Sequence, residues 1–335
     1  MDTNRVKAVV LFSGGLDSIL ASQLILDQGI DLEGVNFKSV FLARNDEALP
    51  VADKLKLRLK VFDITGQHIQ ISRSPAYGHG KNMNPCLDCR IIMLKKAAEY
   101  MKETGASFLV TGEVLGERPM SQRKEAFSLI EKAAGLKGRI LRPLSAKLLE
   151  PTIPEIEGLV KREELLDIQG RSRSRQMELA EQRGIDYYPT PAGGCLLTDP
   201  GFSNRLKELF NHLSRPSVND IRLLKYGRHF RMPNNIKIII ARDDKEVNCL
   251  LELVEQGDLV FELADQPGPI TTVRAKDKDV DLGWVKDVAA LTARYSKLRD
   301  KKEVRVKYYR VPQKKEEFIS VNPQKAEELG IARIC

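Results

Sequence analysis

The sequence predicts a doubly wound α/β domain built on a parallel sheet, followed by a smaller α+β C-terminal domain. Three observations predict it. Over roughly the first 150 residues, short apolar runs alternate with amphipathic stretches, the pattern of strands covered by helices on both faces. Gly29 and Gly105 stand as stops after two of the intervening helices. The first apolar run, Ala8 to Phe12, passes directly into Ser13-Gly14-Gly15-Leu16-Asp17-Ser18 and then into a helical segment. That order can build an anion cradle at the end of a strand.

Strands are expected at Ala8 to Phe12, Leu32 to Phe37, Leu59 to Phe62 and Phe108 to Thr111, with helices at Leu16 to Gln28 and Ile91 to Met101. Ligands of such sheets sit beyond the carboxyl ends of the strands. The Ser13 loop, the end of the second strand near Phe37 and the Thr111-Gly112-Glu113 turn should therefore converge on one crevice. After Pro143 the pattern loosens, and a charged segment leads into Gly170-Arg171-Ser172-Arg173-Ser174-Arg175. Ser174 is expected to cap a helix running to about Arg183, closed by Gly184. Tyr187 to Cys195 reads as a rigid, glycine-ended loop. From about Pro216 a new unit starts, with strands at Ile236 to Ala241 and Leu259 to Leu263 around a helix at Glu246 to Gln256. From Lys286 onward the chain reads as a basic tail.

The composition, 42% hydrophobic and 30% charged over 335 residues, is that of a soluble globular protein with room for two or three domains. No apolar run approaches the roughly 18 residues of a membrane span, and the N-terminus lacks a signal-peptide pattern, so a cytoplasmic location is expected. A net charge of +8 favours a polyanionic partner. The five cysteines are Cys86, Cys89, Cys195, Cys249 and Cys335. An odd number in a cytoplasmic chain argues against a disulfide framework and toward metal or redox chemistry.

The adjacent Gly14 and Gly15 let backbone approach a phosphate closely, and the loop lacks the lysine of a Walker P-loop. Cys86-Leu87-Asp88-Cys89 is read as a loop entering a helix N-terminus, a position that lowers thiol pKa. Cys195, preceded by Gly193-Gly194, is the candidate third member. Three cysteines fit a structural zinc site poorly, His79 being the closest further ligand, whereas three thiolates on a four-iron cluster would leave one iron open. The plainer reading makes Cys195 a buried hydrophobe, and a disulfide-cycling pair stays open beside the cluster. Cys249 reads as core, and Cys335 has no evident role.

Ser13-Gly14-Gly15-Leu16-Asp17-Ser18 resembles the SGGxDS loop of the PP-loop ATP pyrophosphatases, which cleave ATP between its α and β phosphates and adenylate a substrate. With Gly34-Val35-Asn36-Phe37-Lys38, Gly80 to Cys89, Gly105-Ala106 and Thr111-Gly112, the first third of the chain resembles the N-terminal domain of bacterial tRNA 2-thiouridylases. Members of that family with a CxxC and a distant third cysteine bind a [4Fe-4S] cluster, and the resemblance assigns Cys86, Cys89 and Cys195 to it. It also implies an adenine-nucleotide α-hydrolase-like fold. Ser13, Gly14, Gly15, Ser18 and Gly112 would hold ATP, Asp17 would lie near Mg2+, and Phe37 would lie against adenine or be ordinary core. The departures are Gly112-Glu113-Val114, where the family has Gly-His-Tyr, and a downstream part unlike its central and barrel domains. Arg222 to Arg231 with Lys237 to Arg242 instead resembles the NFACT-R class of RNA-binding domain.

The expected boundaries are 1–170 for the PP-loop adenylation domain, 171–215 for a segment delivering Cys195, 216–285 for the NFACT-R-like domain and 286–335 for the tail. The implied function is a tRNA uridine thiolase that adenylates a uridine carbonyl oxygen and replaces it with sulfur from sulfide or a persulfide carrier. RNA would meet Arg171, Arg173, Arg175, Arg228 and Arg231, each of which taken singly reads as solvated surface. The alternatives are an adenylating ligase or amidotransferase for a small molecule, and a non-catalytic RNA-binding module.

Overall fold

Strands as apolar as these need cover on both faces, and the computed structural model supplies it. It describes residues 5–42, 48–188, 194–275, 281–313 and 315–334. The chain divides into two units, Met1–Thr198 and Asp199–Cys335. Residues 189–193 of the loop before Cys195, and Cys335 itself, lie outside the described residues. No helix among the described residues is long and apolar enough to cross a membrane.

The first unit runs β1 (Lys7–Leu11), α1 (Leu16–Leu26), β2 (Asp31–Lys38), α2 (Ala48–Lys54), β3 (Arg58–Asp63), α3 (Thr65–Arg73), α4 (Cys86–Thr104), β4 (Phe108–Thr111), α5 (Lys124–Ala134), β5 (Ile140–Leu141), α6 (Ile153–Ile156) and α7 (Ser174–Gln182). Its sheet has the order β3-β2-β1-β4-β5, with every pairing parallel. Alternate residues of β1, with Phe12 just beyond it, feed opposite cores: Ala8, Val10 and Phe12 pack into one cluster, Val9 and Leu11 into the other. Because β2 and β4 flank β1 on opposite sides, the strand order reverses there. The crevice beyond Leu11 and Thr111 is the switch point at which such sheets bind ligands. Gly29 and Gly105 adopt φ of +75° and +69°, as expected of helix stops.

Two helix starts differ from expectation. α4 begins at Cys86, with Pro85 at its N-cap, and the amide of Cys89 donates to the Pro85 carbonyl at 2.9 Å. The Pro85 carbonyl accepts the first intrahelical bond, so CxxC forms the first turn itself. α7 is preceded by Arg173 at the N-cap, and Ser174 is its first residue.

The second unit runs α8 (Pro200–His212), α9 (Val218–Leu223), β6 (Arg228–Arg231), β7 (Lys237–Ile240), α10 (Asp244–Leu253), β8 (Leu259–Leu263), β9 (Thr271–Arg274), α11 (Leu282–Arg294), β10 (Val304–Arg310), β11 (Glu317–Val321) and β12 (Ala332–Ile334). Its antiparallel sheet has the order β11-β10-β8-β9-β7-β6-β12. The stretch read as a basic tail is part of this fold. Trp284, Val285 and Val288 of α11, with Val304 and Val306 of β10, are buried in the same core as Phe230 and Phe261. Its cations concealed the apolar alternation that makes it structural.

Candidate active site

The Ser13 to Ser18 loop is organised by its own hydroxyls. Gly14 takes φ +74°, open to glycine at little cost, and Gly15 is the extended N-cap of α1. The Ser18 hydroxyl donates to the Gly15 carbonyl at 2.8 Å, and the Gly15 amide donates to Ser13 Oγ at 3.3 Å. The α1 N-terminus thus faces the crevice, where its free amides favour an anion. Gly112 is required by close approach: a Cβ there would lie 2.6 Å from backbone atoms of Asp17 and Ser18. It lets the end of β4 press against the first turn of α1. Asn36, which sequence reasoning did not single out, donates from Nδ2 to the Phe12 carbonyl at 2.8 Å and ties the ends of β1 and β2 together.

These elements line a cavity of about 420 Å³. Ser13, Gly15, Asp17, Ser18, Phe37 and Gly112 lie on its walls together with Cys86, Cys89 and Cys195. Phe37 is 8% exposed and stacks on Phe62 with centroids 6.1 Å apart, so it is both core and cavity wall. Cys195 reaches the cavity by backbone pairing. It bridges Leu42, while the Leu196 amide donates to the Phe41 carbonyl at 2.9 Å and the Met83 amide to the Leu197 carbonyl at 3.2 Å. The third cysteine is therefore sewn both to the chain after β2 and to the loop that precedes CxxC.

The thiols do not have the lowered pKa expected of a helix N-terminus. Burial pushes Cys89 up to about 12 and Cys195 to about 11, and raises Cys86 as well; Arg90 and Arg118 oppose it without prevailing. Desolvation of the thiolates outweighs the attraction of the two arginines here. Among the described residues no set of three or more His, Cys, Asp or Glu side chains is arranged to hold a metal ion. The donor chemistry fits a soft cation all the same, because three thiols sharing one cavity can exchange protons for metal. His79, the candidate further ligand, is exposed and pairs with the Ser72 carbonyl at 2.8 Å.

A buried charge network that the sequence did not reveal joins the two ends of the cavity. Glu113 is 3% exposed and faces Arg90 Nε and Arg142 Nε at 3.1 Å each, while the Thr111 hydroxyl donates to it at 3.1 Å. Burial works to raise its carboxyl, but Arg90 and Arg142 hold it below the usual range. Arg142 in turn pairs with Glu131 at 2.6 Å. Arg90 directly follows CxxC, so the network fixes the start of α4 against the end of β4. The one signal in the sequence was Glu113 at the position where the related family carries histidine.

The expected RNA-contacting arginines separate into two groups. Arg171 and Arg175 are exposed. Arg173 lines the cavity, with Nη2 3.5 Å from Asp17 Oδ2; burial nevertheless raises the Asp17 carboxyl. In the second unit Arg231 is 11% exposed and donates to Glu208 at 2.6 Å and to the Asn235 carbonyl at 2.9 Å. Arg228 donates to the Ala241 carbonyl at 3.4 Å and lies over the Tyr295 ring, 5.1 Å from its centroid. Both hold the second unit together.

Residues 4–147 match the family described as thiamine biosynthesis protein ThiI, and residues 227–332 match the NFACT protein RNA binding domain. The second match takes in most of the stretch read as a tail. A tRNA-specific 2-thiouridylase of Fusobacterium nucleatum is 29% identical over 115 residues, 33% of this chain and 32% of that protein. The probable tRNA sulfurtransferase of Thermococcus kodakarensis is 29% identical over 147 residues, 41% of this chain and 36% of that protein. A solved 4-thiouridine synthetase, in complex with RNA and bound ATP, is 22% identical, covers 66% of this chain and 52% of that chain, and has a TM-score of 0.40. The chain spans about a third of the length of the two curated relatives. The first unit resembles the PP-loop domains of the tRNA thiouridine synthetases, and the second resembles the RNA-binding domain of NFACT proteins.

Proposed function

We propose that this chain is an ATP-dependent tRNA uridine thiolase. The observation that carries the reading is the meeting of an SGGxDS loop and three cysteines on one cavity. An adenylating ligase needs the loop, but it gives the cysteines no purpose. The matches to ThiI and to the NFACT RNA-binding domain support tRNA as the substrate.

In this reading the α1 N-terminus, the Gly15 amide and the Ser13 and Ser18 hydroxyls hold the ATP phosphates, and the uridine carbonyl oxygen attacks the α-phosphate. Pyrophosphate leaves, and the oxygen becomes the bridging atom of an AMP ester. AMP departs when sulfur attacks the same carbon, so oxygen leaves with AMP and sulfur takes its place. Mg2+ at Asp17 would neutralise charge on the departing pyrophosphate. A [4Fe-4S] cluster held by Cys86, Cys89 and Cys195 would supply an iron open to sulfide. The Glu113 network keeps Cys86 and Cys89 in register with the adenylation end. The uridine enters from a loop or flipped out of a helix, because a base within a stack cannot reach a cavity wall.

The reading is tested on purified full-length protein with unmodified tRNA, ATP and sulfide under anaerobic conditions. The expected result is AMP formation that depends on tRNA, with a thiouridine found by nucleoside mass spectrometry, and neither product from Asp17→Ala. AMP formation that tRNA does not stimulate, or thiouridine formed equally by Asp17→Ala, overturns it.

A further inference from the structure

Behind the Ser13 to Ser18 loop, the interface of α1 with α7 holds polar atoms to which the fold gives no partner. α7 is fastened to α1 at its C-terminal end, where Arg183 Nη1 pairs with Asp27 Oδ2 at 2.6 Å. At its other end Arg173 reaches Asp17 with a contact of 3.5 Å, at the outer limit of a hydrogen bond. Around that long contact, Asp17 Oδ1, Arg173 Nε and the Gln176 amide oxygen are buried without a hydrogen-bond partner, and the Gln176 amide nitrogen faces the Asp17 carboxylate. Gln176 is 0% exposed and close enough to act on the Asp17 carboxylate. Buried polar atoms are almost always satisfied, so several unsatisfied together mark a place made for a polar occupant. Arg173 shares its cavity with Ser13, Gly15 and Ser18, within which a polyphosphate would lie.

We propose that Arg173 and Gln176 belong to the nucleotide site, with Arg173 and a divalent cation competing for the Asp17 carboxylate. In the complex with MgATP the cation takes Asp17, Arg173 turns to the polyphosphate, and the Gln176 amide steadies the carboxylate it leaves. This rests on the reading that the loop binds MgATP. It adds an exchange of partners: an arginine that opposes the bare cation yet favours the cation with its nucleotide.

Such an exchange moves two affinities in opposite directions, which damage to the fold cannot do. Isothermal titration of the full-length protein, first with Mg2+ alone and then with MgATP, reads both. Arg173→Ala is expected to bind Mg2+ about threefold or more tightly, since a competitor is gone. The same variant is expected to bind MgATP about tenfold to a hundredfold more weakly, having lost a charge-assisted contact. Arg173→Lys keeps the charge and should recover part of the MgATP affinity. Gln176→Leu keeps the buried volume, removes the amide beside Asp17 and should stay folded while binding MgATP several-fold more weakly. Arg183→Ala releases the other end of α7 and should move neither affinity.

If Arg173→Ala binds Mg2+ and MgATP as the parent does, or loses both together, the inference is overturned while the reading of the loop stands. A parent protein that binds no MgATP overturns both. Gln176→Leu that melts lower yet binds MgATP normally makes Gln176 structural and removes it from the site.

Discussion

The two ends of the cavity are prepared for their chemistry in opposite ways. The loop end is made of backbone amides, two hydroxyls and a helix N-terminus, which favour an anion. The cysteine end is made of thiols that burial keeps protonated, Cys89 pushed up to about 12 and Cys195 to about 11. One end is ready for its ligand; the other must exchange protons first. Metal binding at the cysteine end would therefore release protons, whereas the amides and hydroxyls of the loop end hold no proton that an anion must displace. The comparison teaches that the two ends of one cavity need not be equally preformed for a ligand.

Glu113 is where the comparison is easiest to break, because it touches both ends. Its carboxylate answers Arg90, which follows Cys89, and Arg142, and its neighbour Gly112 presses on the α1 turn. Removing one member of a buried ion cluster leaves the others uncompensated, at a cost of about 3–5 kcal/mol. Glu113→Ala is expected to lose that much in denaturant unfolding, with a lowered midpoint. A loss below about 1 kcal/mol would mean that water replaces the carboxylate, and that the two ends are not rigidly joined.

Gly112→Ala tests the loop end alone and is expected to have a smaller effect. The added methyl meets main-chain atoms at 2.6 Å, which no side-chain rotation relieves. Overpacking of this kind costs about 1–3 kcal/mol, and the displacement falls on Asp17 and Ser18. ATP binding measured by calorimetry should weaken, while the thiols remain titratable with a thiol reagent in denaturant-free buffer as in the parent. Equal disturbance of thiol reactivity would show that the ends move as one.

How much of this was legible in the sequence follows from the range over which each feature is determined. The loop from Ser13 to Ser18 is contiguous, and its strand, turn and helix follow from local glycine and apolar spacing, so it could be read directly. Cys195 could be suspected from its glycines, but its delivery by pairing with Phe41 and Leu42 depends on tertiary contact. The direction of the thiol shift likewise depends on tertiary contact. A helix N-terminus is a local feature, whereas desolvation depends on what the rest of the fold lays over the sulfur. Glu113, Arg90 and Arg142 come from three separate segments, and their mutual neutralisation had no trace in spacing. The stretch after Lys286 was misread because charge is conspicuous along a strand whose alternate residues are core, as Val304 and Val306 are.

The smallest expected effect lies outside both ends and turns on which arginines are free. Arg171 and Arg175 are exposed, whereas Arg173 faces Asp17 and Arg231 faces Glu208. A cation already matched to a carboxylate releases no counterion when a phosphate approaches, so it adds little to the salt dependence of RNA binding. In tRNA binding followed against salt concentration, Arg171→Ala and Arg175→Ala should each lower the slope of log affinity on log salt by about one. Arg231→Ala should leave the slope unchanged and lower the unfolding stability of the second unit instead, because it leaves Glu208 short of a partner. The opposite pattern, a slope change with Arg231 and none with Arg171 or Arg175, would mean that the ion pair with Glu208 opens on RNA. The committed and uncommitted arginines would then have exchanged roles, as the inference from the α1–α7 interface already requires of Arg173 on nucleotide.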